Sequence, residues 1–260
     1  MLRTVKATRY ITPLREGGSL PAIVEADDGG AYVLKFRGAG QGQRALIAEL
    51  LGGEIGRALR LPVPEIVLMD VDPVLARSEP DPEIQALIEA SGGLNLALEY
   101  LPGAIGFDPI ALQAAAPEFA AAIVWFDAYI TNVDRTARNP NLVVQGKKLW
   151  LIDHGASLYF HHSWDEYLER SRAPFTRIKD HVLLSRASSI LDADAESAPL
   201  LHGDTLSEIV AAIPDDWLGD EPLFPGIGPH RDAYRAYLTG RLETPRAFAE
   251  GAEHARLQQL

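Results

Sequence analysis

The sequence changes character at Pro102-Gly103, and that change limits the folds open to it. Upstream lie strand-like segments and one long helix. Ala22-Ile23-Val24-Glu25-Ala26 runs into the turn signal Asp27-Asp28-Gly29-Gly30 and then Ala31-Tyr32-Val33-Leu34-Lys35-Phe36, which predicts a β-hairpin. Leu46, Leu50, Leu51, Ile55, Ala58 and Leu59 recur at helical spacing and predict a helix over residues 44–59. Leu61-Pro62-Val63-Pro64 ends it, because proline restricts its neighbour and breaks the ladder. Residues 66–71 and 94–101 read as two further strands. Downstream, helices rich in alanine and leucine are expected at 109–116 and 117–132, then a short strand pair around Gly146. From about residue 159 the chain reads as helical pieces, with a last helix from Pro245 onward. This segregation predicts an α+β chain in two lobes: a small β-rich lobe over residues 1–101 and a larger helical lobe over residues 102–260.

Composition narrows the function. The chain has 260 residues, 47% of them hydrophobic and 23% charged, which is enough to bury a core and excludes a disordered polymer. The net charge of −12 argues against a broad basic face for nucleic acid. The absence of cysteine excludes disulfides, thiolate metal sites and a cysteine nucleophile. No apolar run approaches the length of a membrane span, and the opening MLRTVKATRYITPL has charges among its apolar residues and no small-residue cleavage site. A cytoplasmic location without a membrane span is therefore the expectation. Lysine occurs only at positions 6, 35, 147, 148 and 179.

The polar residues between 132 and 155 carry the chemistry. Asn132-Val133-Asp134-Arg135-Thr136-Ala137-Arg138-Asn139 follows an apolar helix abruptly. With the next hairpin centred on Gly146, Asn139 and Asp153 each stand seven residues from the centre, so a symmetric register sets them opposite each other. A carboxamide and a carboxylate so placed are oxygen ligands for a hard cation such as Mg²⁺. Asp134, five residues before Asn139, adds a carboxylate at the same cleft. Phosphoryl transfer needs this combination: charge and metal around the phosphates, and a carboxylate to orient the acceptor hydroxyl. Asp134 and Asn139 reproduce an Asp-x4-Asn spacing, and Asp153-His154-Gly155 stands where kinases carry Asp-Phe-Gly.

The first lobe supports the same chemistry. Lys35 lies inside a β-rich strand, the context of a lysine that pairs with α- and β-phosphates, and Glu49 in the following helix is placed to brace its ammonium. Glu54 competes with Glu49 for that pairing. Leu98-Glu99-Tyr100-Leu101, just before Pro102, reads as a hinge whose backbone meets adenine.

With these residues in view, the sequence resembles the HipA-like kinases, and its active-site pattern is also similar to that of the type II phosphoinositide 4-kinases. The resemblance spans roughly residues 10–165. It includes Leu59-Arg60-Leu61-Pro62-Val63-Pro64, the element Asn132, Asp134 and Asn139, and the later Asp153. It implies a protein-kinase-like fold, ATP and Mg²⁺, with Asp134 as catalytic aspartate and Asn139 and Asp153 as metal ligands. It also implies Lys35 as phosphate ligand and Glu49 as its helix partner. Gly17, Gly18 and Ser19 stand in the place of the kinase glycine loop, which they match in a shortened form. Thr136 departs from the histidine that members often carry two residues after the catalytic aspartate. The chain is also too short to hold the extra amino-terminal subdomain of the HipA toxins.

The expectation is an ATP- and Mg²⁺-dependent kinase acting on a hydroxyl, with protein serine or threonine favoured. Two alternatives stay open. One is a silent nucleotide-binding or interaction module on the same fold. The other is a small-molecule kinase like the aminoglycoside phosphotransferases, which usually carry His-Gly-Asp where this chain has Asn132-Val133-Asp134. Arg135 and Arg138 read as phosphate contacts or surface pairs, and the Gly38-to-Gly42 loop as a turn that could close over nucleotide. His154, His161 and His162 read as structural, and Trp125, Phe126 and Tyr129 as helix core. Residues 175–179 resemble an activation-type segment, but no motif in 160–230 identifies the acceptor.

Overall fold

The computed structural model describes residues 2–14, 20–40, 42–108 and 115–259. The expected glycine loop at Gly17, Gly18 and Ser19, and most of the expected helix at 109–116, lie outside the described residues.

The first lobe is a closed five-stranded barrel. Its elements are β1 (Thr4–Pro13), β2 (Ala22–Ala26), β3 (Ala31–Lys35), α1 (Gly42–Ala58), β4 (Ile66–Val71), α2 (Pro82–Ala90) and β5 (Gly93–Glu99). The strand order is β1-β2-β3-β5-β4, and β4 returns to β1 in parallel with Val5 opposite Met69. The expected hairpin is β2–β3, with Val24 opposite Tyr32. Alternation sends Val24, Tyr32 and Leu34 inward, where they pack with Val5, Val67, Met69 and Ala97. Lys35 is thereby left on the outer face. α2 starts at Asp81, whose carboxylate accepts from the Glu83 N–H at 3.1 Å, with Pro82 in the first turn. α1 ends through Arg60 in the left-handed region, φ 61°, with the Leu61 N–H returning to the Gly56 carbonyl at 2.9 Å. That closure satisfies the last carbonyls before Pro62 takes over.

The second lobe contains β6 (Ile105–Gly106), α3 (Pro117–Tyr129), β7 (Leu142–Gln145), β8 (Lys148–Leu151), α4 (Tyr167–Ser171), α5 (Ile190–Ser197), α6 (Gly203–Ala211), α7 (Ile227–Leu242) and α8 (Ala247–Leu257). α3 is buried nearly all round and serves as the lobe's central pillar. Trp125 donates to Asp194 at 2.7 Å, and the Tyr129 hydroxyl donates to the Leu238 carbonyl at 3.0 Å. One continuous core joins Leu50 and Leu51 of α1 and Leu96 of β5 to Phe126, Leu151 and Leu238. A strap from the second lobe holds the first. Trp217 donates to the Leu94 carbonyl at 3.2 Å, Arg44 pairs with Glu221 at 2.9 Å, and Gln43 donates to the Asp216 carbonyl at 3.1 Å.

One expectation needs correction. The β7–β8 ladder pairs Gln145 with Lys148 and Leu142 with Leu151, so the turn is the two residues Gly146-Lys147. Its centre falls between them, not on Gly146, and the register does not set Asn139 opposite Asp153. Gly146, at φ 63°, supplies the positive φ that such a tight loop requires at its first position. His161 and His162 lie in a short 3-10 turn, with His161 buried and its Nδ1 3.1 Å from the Tyr234 hydroxyl, in keeping with a structural role.

Candidate active site

The site lies where the barrel, α1 and the loops around β7–β8 meet. Lys35 ends β3 and reaches across the lobes, its Nζ 2.7 Å from Asp153 Oδ1 and 3.7 Å from Glu49 Oε2. Glu49 is 1% exposed, turned inward from the middle of α1. Glu54 is turned away and pairs with Arg57 at 3.3 Å, so Glu49 is the glutamate that meets Lys35. Burial alone would lower Lys35, but the attraction of Glu49 and Asp153 outweighs it and holds the ammonium above its ordinary range. Burial would likewise raise Glu49, yet Lys35 and then His154 hold its carboxyl below the ordinary range. Lys35 and Glu49 are therefore both ionised throughout the neutral range.

Asp153 sits just past the end of β8 with φ 56°, a left-handed turn that starts the Asp153-His154-Gly155 element. His154 is fully buried, its Nδ1 3.4 Å from Glu49 Oε1 and its ring edge-on to Phe126. A glycine on α1 permits this approach. A Cβ at Gly52 would lie 2.8 Å from the His154 Cβ, so only glycine lets α1 rest so close to the element.

The loop carrying Asp134 hangs from a buried carboxylate. Asp127, on α3, accepts from Asn132 Nδ2 at 2.9 Å and Arg135 Nε at 2.6 Å, and its Oδ2 lies 2.9 Å from His181 Nε2. Asn132 in turn accepts from the Asp134 backbone N–H at 3.0 Å. Arg135 also donates to the Asn141 and Ile152 carbonyls. Arg135 is thus a buried clamp and not a phosphate contact or surface pair. Burial pushes the Asp127 carboxyl up, but Arg135 and then His181 hold it well below the usual range. The sequence reading missed Asp127 and His181. An aspartate inside an otherwise apolar helix was the available signal.

Asn139 Nδ2 donates to Asp134 Oδ2 at 2.7 Å, and Asn141 Nδ2 lies 3.5 Å from the same oxygen. A cavity of about 410 Å³ joins the parts, with Lys35, Glu49, Asp134 and Asp153 on its wall beside Gly40 and Gly42 of the glycine-rich loop. That volume suits a small-molecule ligand. Asn139 is exposed and off the wall; exposed Glu99 and half-buried Tyr100 and Leu101 also lie off it, and Glu99 borders a separate cavity with Trp150.

Among the described residues no group of three or more His, Cys, Asp or Glu could hold a metal ion unaided. The donor set nonetheless fits a hard cation bound together with phosphate. Asn139 spends its amide nitrogen on Asp134, leaving its side-chain oxygen as the free end, and Asp153 engages Lys35 through one oxygen of two. Among the described residues, no helix is long and apolar enough to cross a membrane.

The sequence profile of the HipA-like kinases matches residues 8–227. No curated protein sequence matches the chain. Among solved structures, the chain is similar to the Helicobacter pylori proinflammatory kinase CtkA, with a TM-score of 0.57 at 12% identity over 99% of this chain and 98% of that one. A Golgi casein kinase with Mn and ADP bound gives a TM-score of 0.47 at 13% identity, over 95% and 76% of the two chains. The first of these likenesses shows the fold, which is protein-kinase-like.

Proposed function

The chain belongs to the HipA-like kinase family, and from that membership we propose that it transfers the γ-phosphate of ATP to a hydroxyl group, serine or threonine of a protein being the favoured acceptor. One observation carries the reading. Lys35 is held between Glu49 and Asp153 on the wall of the cavity that also presents Asp134.

In this mechanism the Lys35 ammonium, kept charged by its two carboxylates, binds α- and β-phosphate oxygens. Glu49 stays on Lys35 and fixes its direction. Asp134 accepts a hydrogen bond from the acceptor hydroxyl and turns its oxygen toward the γ-phosphorus; the proton leaves toward that carboxylate as the new P–O bond forms. ADP departs with the electron pair of the bond that breaks. Asn139 and Asp153 would hold a divalent cation, Mg²⁺ in the usual case, which neutralises charge on the phosphates when bound. The anchor at Asp127 keeps Asp134 and Asn139 in fixed relation, so the cost of ordering them is met by the fold.

Turnover of labelled ATP with a serine- and threonine-containing protein acceptor tests the proposal. Asp153→Ala and Asp134→Asn are each expected to lower turnover by about 100-fold or more, with melting temperatures close to the parent's. Nucleotide with Mg²⁺ at about 100 times its Kd should add about 2.7 kcal/mol of stability. Full activity in Asp153→Ala would refute the assignment.

A further inference from the structure

A second cavity, of about 350 Å³, opens beside the catalytic loop. Thr131 and Val133 line it, and Val133 directly precedes Asp134. So do three arginines: Arg170, Arg177 and Arg241. Among the described residues no aspartate or glutamate does. In a chain with 36 acidic residues against 24 basic, that is a local reversal of charge.

Arg241 gives the reversal its chemistry. It is 2% exposed on α7 and donates to the carbonyls of Tyr129 at 2.6 Å, Ala128 at 2.8 Å, Ser171 at 3.3 Å and Ala173 at 3.4 Å. The first two are at the end of α3, where the helix dipole favours a cation. All four are neutral, and no carboxylate among the described residues is within ion-pair distance. A buried guanidinium without a counter-ion is costly, and this one borders a cavity. Arg170 likewise spends Nη1 on carbonyls only, of Ser163 and Asp165, and the side chain of exposed Arg177 has no hydrogen bond or ion pair among the described residues. Thr131 adds an independent sign. Its hydroxyl is buried and has no partner among the described residues, and its backbone is left-handed at φ 55°, a region that β-branched residues rarely occupy.

The wall is also fixed relative to Asp134. Thr136 bridges to His181, and the Val182 N–H donates to the Arg135 carbonyl at 3.1 Å, so the segment carrying Arg177 is tied to the catalytic loop. Resting on the kinase reading of Asp134, we infer that this cavity is an acceptor subsite for an anionic group. It takes the carboxylate or phosphate of an acidic or phosphorylated residue flanking the hydroxyl-bearing residue of a peptide acceptor. Guanidinium groups suit both anions because their paired N–H donors match two oxygens at once. Successive residues of an extended peptide are about 3.3–3.6 Å apart. An anion seated against Thr131 and Arg241 therefore belongs within a few positions of the hydroxyl at Asp134. Exposed Tyr159 and half-buried Phe175 offer apolar surface to the peptide between them.

The test is a degenerate peptide library with a central serine or threonine. Each flanking position is fixed in turn as Asp, Glu, phosphoserine, Ala or Lys, and phosphorylation is followed with labelled ATP and Mg²⁺. The expected result is a gain in kcat/KM of about tenfold over Ala for an acidic or phosphorylated residue at one or more flanking positions, with Lys disfavoured. The ratio of phosphoserine to Glu tells whether phosphate or carboxylate is the natural occupant. Arg177→Ala and Arg170→Ala should remove most of the preference by raising KM for the acidic peptide. Arg172→Ala, whose side chain pairs with Glu243 outside this cavity, should keep it. No acidic preference, or one that survives both substitutions, overturns the inference. So does phosphorylation of a small-molecule hydroxyl with no peptide phosphorylated. In that case ATP turnover that remains sensitive to Asp134→Asn leaves the kinase reading intact, whereas turnover indifferent to Asp134→Asn would defeat the kinase reading itself.

Discussion

Asp127→Asn tests whether the loop carrying Asp134 depends on its buried anchor. The Asp127 carboxylate is satisfied by three nitrogen partners: Asn132 Nδ2 at 2.9 Å, Arg135 Nε at 2.6 Å and His181 Nε2 at 2.9 Å. Asparagine brings one acceptor oxygen and two N–H groups, so its own N–H groups meet donors. Arg135, with a side chain 0% exposed, also loses its carboxylate. Breaking one side of such a pair costs about 3–5 kcal/mol. At about 2.1 cal/mol/K per residue, a 260-residue chain has an unfolding entropy of about 0.55 kcal/mol/K, so Tm should fall by about 5–9 °C. Calorimetry near neutral pH measures the fall. The folded carboxyl is held below its ordinary value, so its contribution is complete above about pH 4 and is lost only as pH falls through the folded value. Above the ordinary histidine range the gap between parent and variant should therefore be constant, equal at about pH 8 and about pH 9. Joining Asp127→Leu to Arg135→Met should cost less than the two single changes summed, because no charge is then stranded. A fall under about 2 °C, or strict additivity in the double variant, would refute the reasoning.

Gly52→Ala sets a Cβ 2.8 Å from His154 Cβ. The expected outcome is a modest Tm change, since the helix gains about 0.5–1 kcal/mol in propensity while overpacking costs about 1–3 kcal/mol. Turnover should drop clearly as α1 carries Glu49 away from Lys35, and unchanged kcat would count against that coupling. Glu49→Gln gives up an attraction of about 4–5 kcal/mol at 3.7 Å with an effective dielectric of about 20, but it also escapes a desolvation cost of similar size. Stability should shift little while kcat/KM for ATP falls. Lys35 is held above its ordinary value and Glu49 below its own, so the pair's contribution is present between about pH 5 and about pH 10. A stability gap that changes between about pH 8 and about pH 9, above the ordinary histidine range, would be inconsistent with this. Trp217→Ala removes a side chain 3% exposed and should cost about 3–5 kcal/mol, or about 5–9 °C in a melt. Faster hydrogen exchange in β5 should accompany it, because Trp217 holds the Leu94 carbonyl.

Features set by local periodicity were readable, and features set by non-local contacts were not. β2 and β3 alternate because one face of each lines the barrel, and α1 shows its spacing because both lobes press on it. β1 carries only two buried positions, Val5 and Ala7, and draws its order from pairing with β2 and β4, so nothing in its own pattern announces a ten-residue strand. α2 was missed although Asp81-Pro82 is a good start signal, because its nine residues are few for a periodic pattern. The spacing of Asp134, Asn139 and Asp153 stood out in the sequence, but the hairpin argument joining them failed by one position. A two-residue turn has its centre on a peptide bond, not on a residue, and every partner beyond it shifts accordingly. Helical spacing could not decide between Glu49 and Glu54. The choice follows from which side of α1 faces β3.

The two cavities flanking Asp134 have opposite charge, and this decides how each can receive an anion. The first presents one lysine against the carboxylates of Glu49, Asp134 and Asp153. A polyphosphate entering it meets more repulsion than attraction from the wall unless a divalent cation comes with it. The distant charges behind the net −12 matter less, because at physiological salt they are screened beyond about 8 Å. The second cavity presents three arginines and no carboxylate among the described residues, and it can hold an anion without a metal. Chelation of divalent cations should therefore weaken nucleotide binding by about tenfold or more, while binding of a phosphoserine peptide, followed by fluorescence anisotropy, should survive chelation and weaken with added salt. Equal sensitivity of both ligands to chelation would place both anions in one cavity and break the division between them.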